Sequence, residues 1–527
     1  MWAKALVFRL GYCTLLIYNS MKYLYVLIAC ITLLSCSKEV DDTIYKAYTP
    51  SKVDVNGGSW KPFILTSPTD VAISVPKLAT DAAYLKEIDS LKTIVVPGLT
   101  TAQKKAVDYW GAGAVLRWNE IGRELAARYN IPPASNAAGV YPVPNAADPL
   151  ADPKFPFANP PYTARALAYL SIAQYDALVA TWKYKYQYNR KAPFEVDATI
   201  KPLLPSTGIP AYPSEEAVVA QASYVILLAM FPGEGPFLIE KLAEAKNSVI
   251  WAAKNVGSDV DAGAALGAGV AAKVMARAKT DGMSTANNQA IVPDLIARST
   301  SLGFVNPWKS QEIPARPPML PNFGVVSTIN FDRKTLESIR PAIPYLENSA
   351  EFKKDLAELN EIQKNQTREQ AAIANYWADG PGSYTPPGHW HRYACDAGVA
   401  AKYSELRMAR MLAYVGSALM DAGIACWETK YYYYSPRPQQ FGLKTSVGLP
   451  NFPSYTSGHS TFSYAAATVL SSFFPENSAK YYGYAQEASD SRVYGLIHFR
   501  VDCQMGGQHG RVIGDFAVKR ANADGAQ

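Results

Sequence analysis

Helical periodicity is the feature that most constrains the fold of this 527-residue chain. Apolar side chains recur three or four residues apart over long stretches, and the alternating patterns typical of β-strands are few. Leu266, Val270 and Val274, for example, form one apolar stripe on a predicted helix. The clearest helical segments span residues 101–129, 163–186, 214–231, 235–256, 261–280, 351–365, 367–377, 392–429, 460–474 and 477–492. The sequence therefore predicts an all-α protein.

Irregular segments rich in proline and glycine divide these helices into two groups. The longest one spans residues 282–330. Hydrophobic residues make up 49% of the chain, which is enough for a large buried core. We predict two packed four-helix-type bundles, an N-terminal bundle within residues 37–281 and a C-terminal bundle within residues 331–527, joined by the segment 282–330.

Residues 1–36 resemble an export signal rather than part of the fold. Met21 and Lys22 offer a second candidate start, and an apolar run follows over residues 23–34. Residues 33–36, Leu-Leu-Ser-Cys, are similar to a bacterial lipobox, so we expect Cys36 to carry the lipid. The apolar run is shorter than a membrane span, which favours a lipoprotein over a transmembrane anchor or a plain signal peptide. The prediction is an exported bacterial lipoprotein of the periplasm or outer membrane, held to the membrane only by its N-terminal lipid.

Charge and cysteine content exclude two further classes. The formal net charge of +6 is small and dispersed, which argues against nucleic-acid binding. Beyond Cys36 the chain holds Cys395, Cys426 and Cys503, without the close spacing of a zinc site or of a disulfide framework. The three are expected to be small buried side chains.

The residues that carry chemistry are concentrated near the C-terminus, in three strings. They are Lys430 with Arg437-Pro438, residues 453–459 ending in Ser457-Gly458-His459, and Ser491-Arg492 followed by His498 and Asp502. Lys430, Arg437 and Arg492 supply three positive charges, two of them guanidinium groups whose geometry suits a tetrahedral oxyanion. The strings therefore predict an oxyanion site.

Backbone and histidine groups complete this predicted site. Ser457 and Gly458 precede a predicted helix, whose first N–H groups and dipole favour an anion. His498 and Asp502 are four residues apart, so the carboxylate is expected to accept the hydrogen of one imidazole nitrogen. The other nitrogen is then free to attack phosphorus or to bind a metal, with His459 as the acid/base on the opposite side.

Together, the three strings resemble the signature of the vanadium haloperoxidases and of the type 2 phosphatidic-acid phosphatase superfamily, which includes bacterial acid phosphatases. Residues 164–168, 175–177, 377–382 and 385–390 are also similar to segments of soluble bacterial members. The resemblance implies that the oxyanion, vanadate or phosphate, is bound by Lys430, Arg437, Ser457, Gly458 and Arg492. It also implies that His459 is the acid/base.

Two activities are compatible with this resemblance. In a haloperoxidase, His498 would be the only protein ligand of vanadium, and hydrogen peroxide would oxidise iodide or bromide to hypohalous acid, which acts on a small organic acceptor. In a phosphatase, His498 would form a phosphohistidine intermediate. Trp427 and Phe452 lie at the spacings at which haloperoxidases place aromatic side chains beside the halide, although packing alone would also explain them. These aromatic residues and the length of the chain favour the haloperoxidase.

A third hypothesis is a non-catalytic, glycan-binding lipoprotein, which explains the aromatic residues but not the ordered Lys, Arg and His strings. The oligomeric state is left open.

Three further residues have weaker interpretations. His389 and His391 are expected in a loop, at the site entrance or as polar loop residues, and Asp176 is a candidate partner of an active-site arginine.

Overall fold

The computed structural model describes residues 45–144, 148, 150, 152 and 155–526. The predicted signal peptide and Cys36 lie outside these residues. Residues Tyr45–Gln527 group into one compact unit, and its described part contains α-helices and short 3₁₀-helices but no β-strand. Among the described residues, no helix combines the length and the apolar character needed to cross a bilayer. The predicted all-α class is confirmed.

The helices follow one another through the chain with few long interruptions. The α-helices are α1 (Ala82–Val95), α2 (Thr101–Gly111), α3 (Ala114–Tyr129), α4 (Pro160–Tyr188), α5 (Pro193–Val196), α6 (Glu215–Met230), α7 (Gly235–Trp251), α8 (Gly257–Thr280), α9 (Val292–Ser301), α10 (Arg333–Ser338), α11 (Ala350–Asn365), α12 (Arg368–Tyr376), α13 (Thr385–Ala400), α14 (Glu405–Tyr433), α15 (Gly458–Phe473), α16 (Ser478–Tyr494) and α17 (Arg500–Ala521). The 3₁₀-helices are Val55–Ser59, Pro232–Glu234, Met283–Thr285, Gln289–Ile291, Phe323–Val325, Pro438–Phe441 and Pro475–Asn477.

Two segments predicted as single helices are each broken in two. The segment 101–129 is interrupted before α3, because Gly113 has a φ of 127°, which other residues rarely adopt. The segment 392–429 is interrupted before α14, where the Ser404 side chain accepts a hydrogen bond from the backbone N–H of Arg407 and caps the new helix. The helix α13 begins at Thr385, before the predicted segment, so His389 and His391 lie on a helix and the prediction of a loop around them is wrong.

The long helices α4 and α14 lie at the centre and pack against each other. Each has 29 residues and is buried along most of its length, which explains why both sequences are apolar on all sides. Each ends at a residue in the left-handed conformation, Asn189 with φ 48° and Tyr434 with φ 51°. These two helices place the N-terminal and C-terminal groups of helices around one hydrophobic core.

Apart from the short helix α5, the helices that follow α4 correspond in order to those that follow α14. The helices α6 and α15 each have 16 residues, and α7 and α16 each have 17. The residues that end α6 and α15 have nearly the same torsion angles, with φ −131° and ψ 69° at Phe231 and φ −136° and ψ 72° at Phe474. The fold therefore contains two four-helix bundles of one topology, α4-α6-α7-α8 and α14-α15-α16-α17. The exact domain limits stay a prediction.

The close crossings within each bundle also correspond. The backbone N–H of Ser214 donates to the carbonyl oxygen of Asp259 at 3.0 Å, and that of Ser457 donates to the carbonyl oxygen of Asp502 at 2.9 Å. A Cβ atom at Gly263 would lie 2.6 Å from the carbonyl oxygen of Ser214. Each bundle thus brings the start of its second helix against the start of its fourth.

A buried carboxylate anchors an irregular segment on each central helix. Asp176 of α4 accepts hydrogen bonds from the backbone N–H groups of residues 63–65, at 2.6–3.0 Å. Asp421, at the equivalent position of α14, accepts bonds from the backbone N–H groups of Ile329 and Asn330. The interpretation of Asp176 as a partner of an active-site arginine is therefore wrong, because backbone groups occupy its carboxylate.

Candidate oxyanion site

Lys430 lies in the last turn of α14 and is completely buried. Its Nζ atom donates to the carbonyl oxygens of Pro453 at 3.0 Å and Ser454 at 2.7 Å. Two backbone carbonyls thus fix the ammonium group in the segment that leads into α15.

Arg437 follows the left-handed residue that ends α14, and its side chain is 1% exposed. Its Nε atom donates to the carbonyl oxygen of Phe452 at 2.7 Å, and its Nη1 atom donates to that of Ile497 at 2.7 Å. The guanidinium group therefore bridges the segment before α15 and the residue that precedes His498.

Arg492 reaches the site from α16 and is also 1% exposed. Its Nη2 atom donates to the carbonyl oxygens of Trp377 at 2.6 Å and Ala374 at 3.2 Å, and its Nε atom donates to the Ser491 hydroxyl at 2.9 Å. Backbone groups at the end of α12 hold this guanidinium.

None of these three cations forms an ion pair with an acidic side chain of the described residues. Burial lowers the pKa of Lys430 to about 8, of Arg437 to about 9 and of Arg492 to about 10. The carboxylates of Asp502, for Lys430 and Arg437, and of Asp379, for Arg492, offset the desolvation cost of these charges only in part. The arrangement is therefore built to receive an anion.

Asp502 holds His498 in a defined orientation at the start of α17. The Oδ2 atom of Asp502 lies 3.0 Å from Nδ1 of His498 and accepts bonds from the backbone N–H of Phe499 at 3.0 Å and the Ser454 hydroxyl at 2.5 Å. This pattern places the proton on Nδ1 and leaves Nε2 of His498 with a free lone pair. Ser454 was part of the predicted string, but no role was assigned to it.

Burial sets the protonation of this pair. It lowers the pKa of His498 well below its ordinary range, and the nearby charges of Arg437 and Lys430 lower it further. Burial also raises the pKa of Asp502 to about 6. The His498 imidazole is therefore neutral at neutral pH, as a nucleophile or metal ligand requires.

Ser457 and Gly458 form the beginning of α15. The Ser457 hydroxyl accepts a hydrogen bond from the backbone N–H of Ser460 at 3.4 Å, as an N-cap residue does. A Cβ atom at Gly458 would meet nothing closer than Cζ3 of Trp427 at 3.8 Å, so protein packing alone does not require glycine here. Its missing side chain keeps space open in front of the helix N-terminus.

His459 is the second residue of α15, and its Nε2 atom has no hydrogen-bond partner among the described residues. This atom lies 3.9 Å from Oδ2 of Asp379, whose carboxylate is also within 3.2 Å of Nδ1 of His389. Burial, together with the charge of Arg492, lowers the pKa of His459. Asp379 thus lies between two imidazoles.

Asp379 was not assigned to the site from the sequence, and His389 was predicted at the site entrance or as a polar loop residue. Both fall in segments that resemble the soluble bacterial proteins, which is the one signal that could have identified them. His389 is buried on α13, and its ring stacks on Trp377 with the centroids 4.7 Å apart. By contrast, His391 faces Asn119 in the core, where burial lowers its pKa to about 3.

Trp427 and Phe452 lie together beside the cations. Their ring centroids are 4.9 Å apart, and Nζ of Lys430 lies 5.1 Å from the centroid of Phe452. The guanidinium carbon of Arg437 lies 4.9 Å from the same centroid. The indole Nε1 of Trp427 donates to the carbonyl oxygen of Met319 at 3.3 Å. The two predicted halide residues therefore form an aromatic wall next to Lys430 and Arg437.

Both the sequence of the C-terminal part and the fold are similar to known proteins. Residues 410–523, which include the three predicted strings, match the family model of the PAP2 superfamily. No curated protein sequence matches the chain. Among solved structures, a bacterial vanadium-dependent iodoperoxidase is similar with a TM-score of 0.54 and 20% identity, over 77% of this chain and 96% of that protein.

The chain also matches a second solved protein, a bacterial vanadium-dependent chloroperoxidase in holo form. The TM-score is 0.47 and the identity is 12%, over 72% of this chain and 96% of that protein. The apo form of a bacterial vanadium-dependent chloroperoxidase has a TM-score of 0.46 and 13% identity, over 69% of this chain and 93% of that protein. The all-α fold is thus shared with the iodoperoxidase structure, and the part of the chain that carries the candidate site matches the PAP2 superfamily.

Proposed function

We propose that the protein is a vanadate-dependent haloperoxidase that uses hydrogen peroxide to oxidise iodide or bromide to hypohalous acid. The observation that carries the proposal is the set of three buried cations without acidic partners, Lys430, Arg437 and Arg492, around a neutral histidine. The similarity of the fold to the iodoperoxidase structure supports the choice of reaction.

The residues of the site fit a tetrahedral vanadate. Lys430, Arg437 and Arg492 would donate to its oxygens, together with the Ser457 hydroxyl and the backbone N–H of Gly458. The free Nε2 atom of His498 would be the protein ligand. Bound vanadate supplies the centre at which hydrogen peroxide is activated for the two-electron oxidation of halide.

The other side chains have separate roles in this proposal. His459 would transfer the proton that the reaction consumes, since one halide ion, one hydrogen peroxide and one proton give one hypohalous acid and one water. Asp502 would keep the proton on Nδ1 of His498. The edges of the Trp427 and Phe452 rings, beside two positive charges, would bind the halide. A small organic acceptor would then react with the hypohalous acid.

A non-specific acid phosphatase is the second candidate, favoured by the PAP2 match and by the same donor set. Phosphate and vanadate are nearly isosteric, so one pocket fits both. In this reaction Nε2 of His498 would attack phosphorus to form a phosphohistidine, and His459 would protonate the leaving oxygen.

We also propose that the protein is exported and held to a bacterial membrane by a lipid on Cys36, based on the lipobox-like residues 33–36. Metabolic labelling with a radioactive fatty acid tests this. The wild-type chain should take up label, and Cys36→Ala should not.

The reaction is tested with purified residues 37–527 freed of phosphate and metal. Oxidation of iodide and bromide by hydrogen peroxide is measured with and without orthovanadate, beside hydrolysis of p-nitrophenyl phosphate. Vanadate-dependent halide oxidation that is lost in His498→Ala is the expected result. Phosphate ester hydrolysis that vanadate inhibits, without halide oxidation, would instead establish the phosphatase. Neither activity, with glycan binding unchanged in His498→Ala, would favour the non-catalytic lipoprotein.

A further inference from the structure

The N-terminal bundle contains a lysine in the same position as Lys430. Lys185 is the fourth residue from the end of α4, as Lys430 is in α14, and both are completely buried. Nζ of Lys185 donates to the carbonyl oxygen of Pro210 at 2.5 Å, and Nζ of Lys430 donates to that of Pro453 at 3.0 Å. Each lysine thus reaches the segment that leads into the second helix of its own bundle.

The carboxylate of the C-terminal site also has a counterpart. Asp259 is the third residue of α8, and its Oδ2 atom accepts the backbone N–H of Val256 at 2.9 Å. Asp502 is the third residue of α17, and its Oδ2 atom accepts the backbone N–H of Phe499 at 3.0 Å. The residues that are identical in both bundles include the pairs Trp182 and Trp427, Lys185 and Lys430, Ser214 and Ser457, Asp259 and Asp502, and Gly263 and Gly506.

The reactive groups, however, are replaced in the N-terminal bundle. Asn255 corresponds to His498, because each directly precedes the N-cap residue of the fourth helix of its bundle. The Nδ2 atom of Asn255 donates to the carbonyl oxygen of Ala211 at 2.8 Å. Glu216 takes the position of His459, as the second residue of its helix. This copy therefore keeps the lysine and the carboxylate of the site without its two histidines, and Val249 stands where Arg492 stands, third from the end of its helix.

Glu215 is the most informative replacement, because it occupies the position of Gly458. It is the first residue of α6, and its Oε2 atom lies 2.5 Å from Nζ of Lys185. A second cation, Lys254, lies 3.7 Å from Oε1. Burial raises the pKa of Glu215, but the charges of Lys185 and Lys254 lower it by more, so the carboxylate is ionised.

We propose that the N-terminal bundle is a second oxyanion site that is closed by its own anion. The Glu215 carboxylate stands where the tetrahedral oxyanion binds in the C-terminal bundle, between a buried lysine and a helix N-terminus. Two small cavities, of about 20 Å³ and about 70 Å³, are lined by Glu215 and Lys254 among other residues. Because the Glu215 carboxylate already occupies the position beside Lys185, it must be removed before a phosphate can bind there.

This inference extends the proposed function, because it assumes that the C-terminal copy binds an oxyanion. It also gives a physical reason for the glycine at 458. One bundle neutralises its buried lysine with a side chain, and the other leaves out the side chain and takes its negative charge from solution.

The test is the number of phosphate ions bound by the full chain, measured by isothermal titration calorimetry at low salt. We expect one phosphate for the wild type, two for Glu215→Gly, and one again for Glu215→Gly combined with Lys185→Met. A folded Glu215→Gly protein that binds the same number of phosphates as the wild type would overturn the proposal. A wild type that binds none, with one bound by Glu215→Gly, would refute the proposed C-terminal site and still support this one.

A stability measurement tests the same proposal if Glu215→Gly does not fold. Glu215→Gln leaves Lys185 buried without a negative partner, so its unfolding temperature should fall. Adding Lys185→Met removes the unpaired charge and should restore part of the loss. A double variant that is no more stable than Glu215→Gln would show that neutralising Lys185 is not the role of Glu215.

Discussion

Asp502 and His498 are joined by a contact of 3.0 Å between Oδ2 and Nδ1, at the point where α17 begins. This contact leaves Nε2 as the imidazole nitrogen that would bind the proposed vanadate. In Asp502→Asn the amide can donate as well as accept, so it no longer fixes the proton on Nδ1. Replacing such a partner of a metal-binding histidine typically lowers metal affinity by about 10- to 100-fold.

We therefore expect orthovanadate to bind Asp502→Asn about 10- to 100-fold more weakly than the wild type. The measurement is the dissociation constant from titration calorimetry. Ser454→Ala removes one neutral donor to the same carboxylate and serves as the matched control, with a smaller loss. Equal vanadate affinity in wild type and Asp502→Asn would contradict the proposed role of the pair.

Oxyanion binding should depend on pH if Lys430 contacts the anion as proposed. Burial, with the charge of Arg437, lowers its pKa from 10.5 to about 8 in the folded protein. The unfolded chain therefore binds more protons between pH 8 and pH 10.5, so this group makes the anion-free fold more stable as pH rises through that window. The folded protein loses this ammonium charge around pH 8, and phosphate affinity should fall as it does.

The variant Lys430→Arg separates the titration of Lys430 from the titration of phosphate itself. A guanidinium stays charged to higher pH, so the ratio of the dissociation constants of wild type and variant should increase as pH rises from 7 to 9.5. The exposed Lys480→Arg is the control and should follow the wild type. Parallel curves for Lys430→Arg and wild type would mean that Lys430 does not titrate in this range.

The chemistry of the site was easier to predict from the sequence than the geometry that assembles it. Lys430, Arg437 and His498 stand out because buried structure rarely needs such residues in close succession. Asp379 could not be placed, because it lies far from His459 in the chain and comes near it only through the packing of α12, α13 and α15. The breaks at Gly113 and Ser404 were missed because apolar periodicity continues across both of them.

The internal repeat was also not visible in the sequence. The two bundles share single residues that are widely separated, such as Lys185 and Asp259 in one and Lys430 and Asp502 in the other. At most other positions helix packing restricts the size and polarity of the side chain but not which residue supplies it. The sequences of the two bundles therefore have few residues in common. Only equivalent hydrogen bonds and helix lengths show the correspondence.

Phe452 offers a way to separate halide binding from oxyanion binding. It is half-buried, and its ring lies beside Lys430 and Arg437. The ring has no hydrogen-bond donor, so it cannot bind the oxyanion itself. Phe452→Leu should therefore raise the KM for iodide or bromide several-fold while the dissociation constant of vanadate stays within about twofold. Steady-state kinetics at saturating hydrogen peroxide, with vanadate titrated separately, measure both. A halide KM equal to that of the wild type would reduce Phe452 to a packing role.

Asp379 should set the pH at which His459 takes up a proton. Its carboxylate lies 3.9 Å from Nε2 of His459 and stabilises the charged imidazole, whereas burial and Arg492 oppose that charge. A carboxylate at this distance favours the charged imidazole and so raises the pKa of the histidine. Because His459 must be protonated to deliver its proton, Asp379→Asn should move the alkaline limb of the pH profile of kcat/KM to lower pH.

The measurement for Asp379→Asn is the rate of halide oxidation from pH 4.5 to 8, or of phosphate ester hydrolysis if that is the activity. Glu487→Gln is the matched control, since Glu487 accepts a hydrogen bond from Nε1 of Trp377 at 2.8 Å and is not in contact with His459. It should leave the profile in place. If Asp379→Asn lowers the rate equally at every pH, the carboxylate positions the neighbouring helices but does not tune the proton transfer by His459.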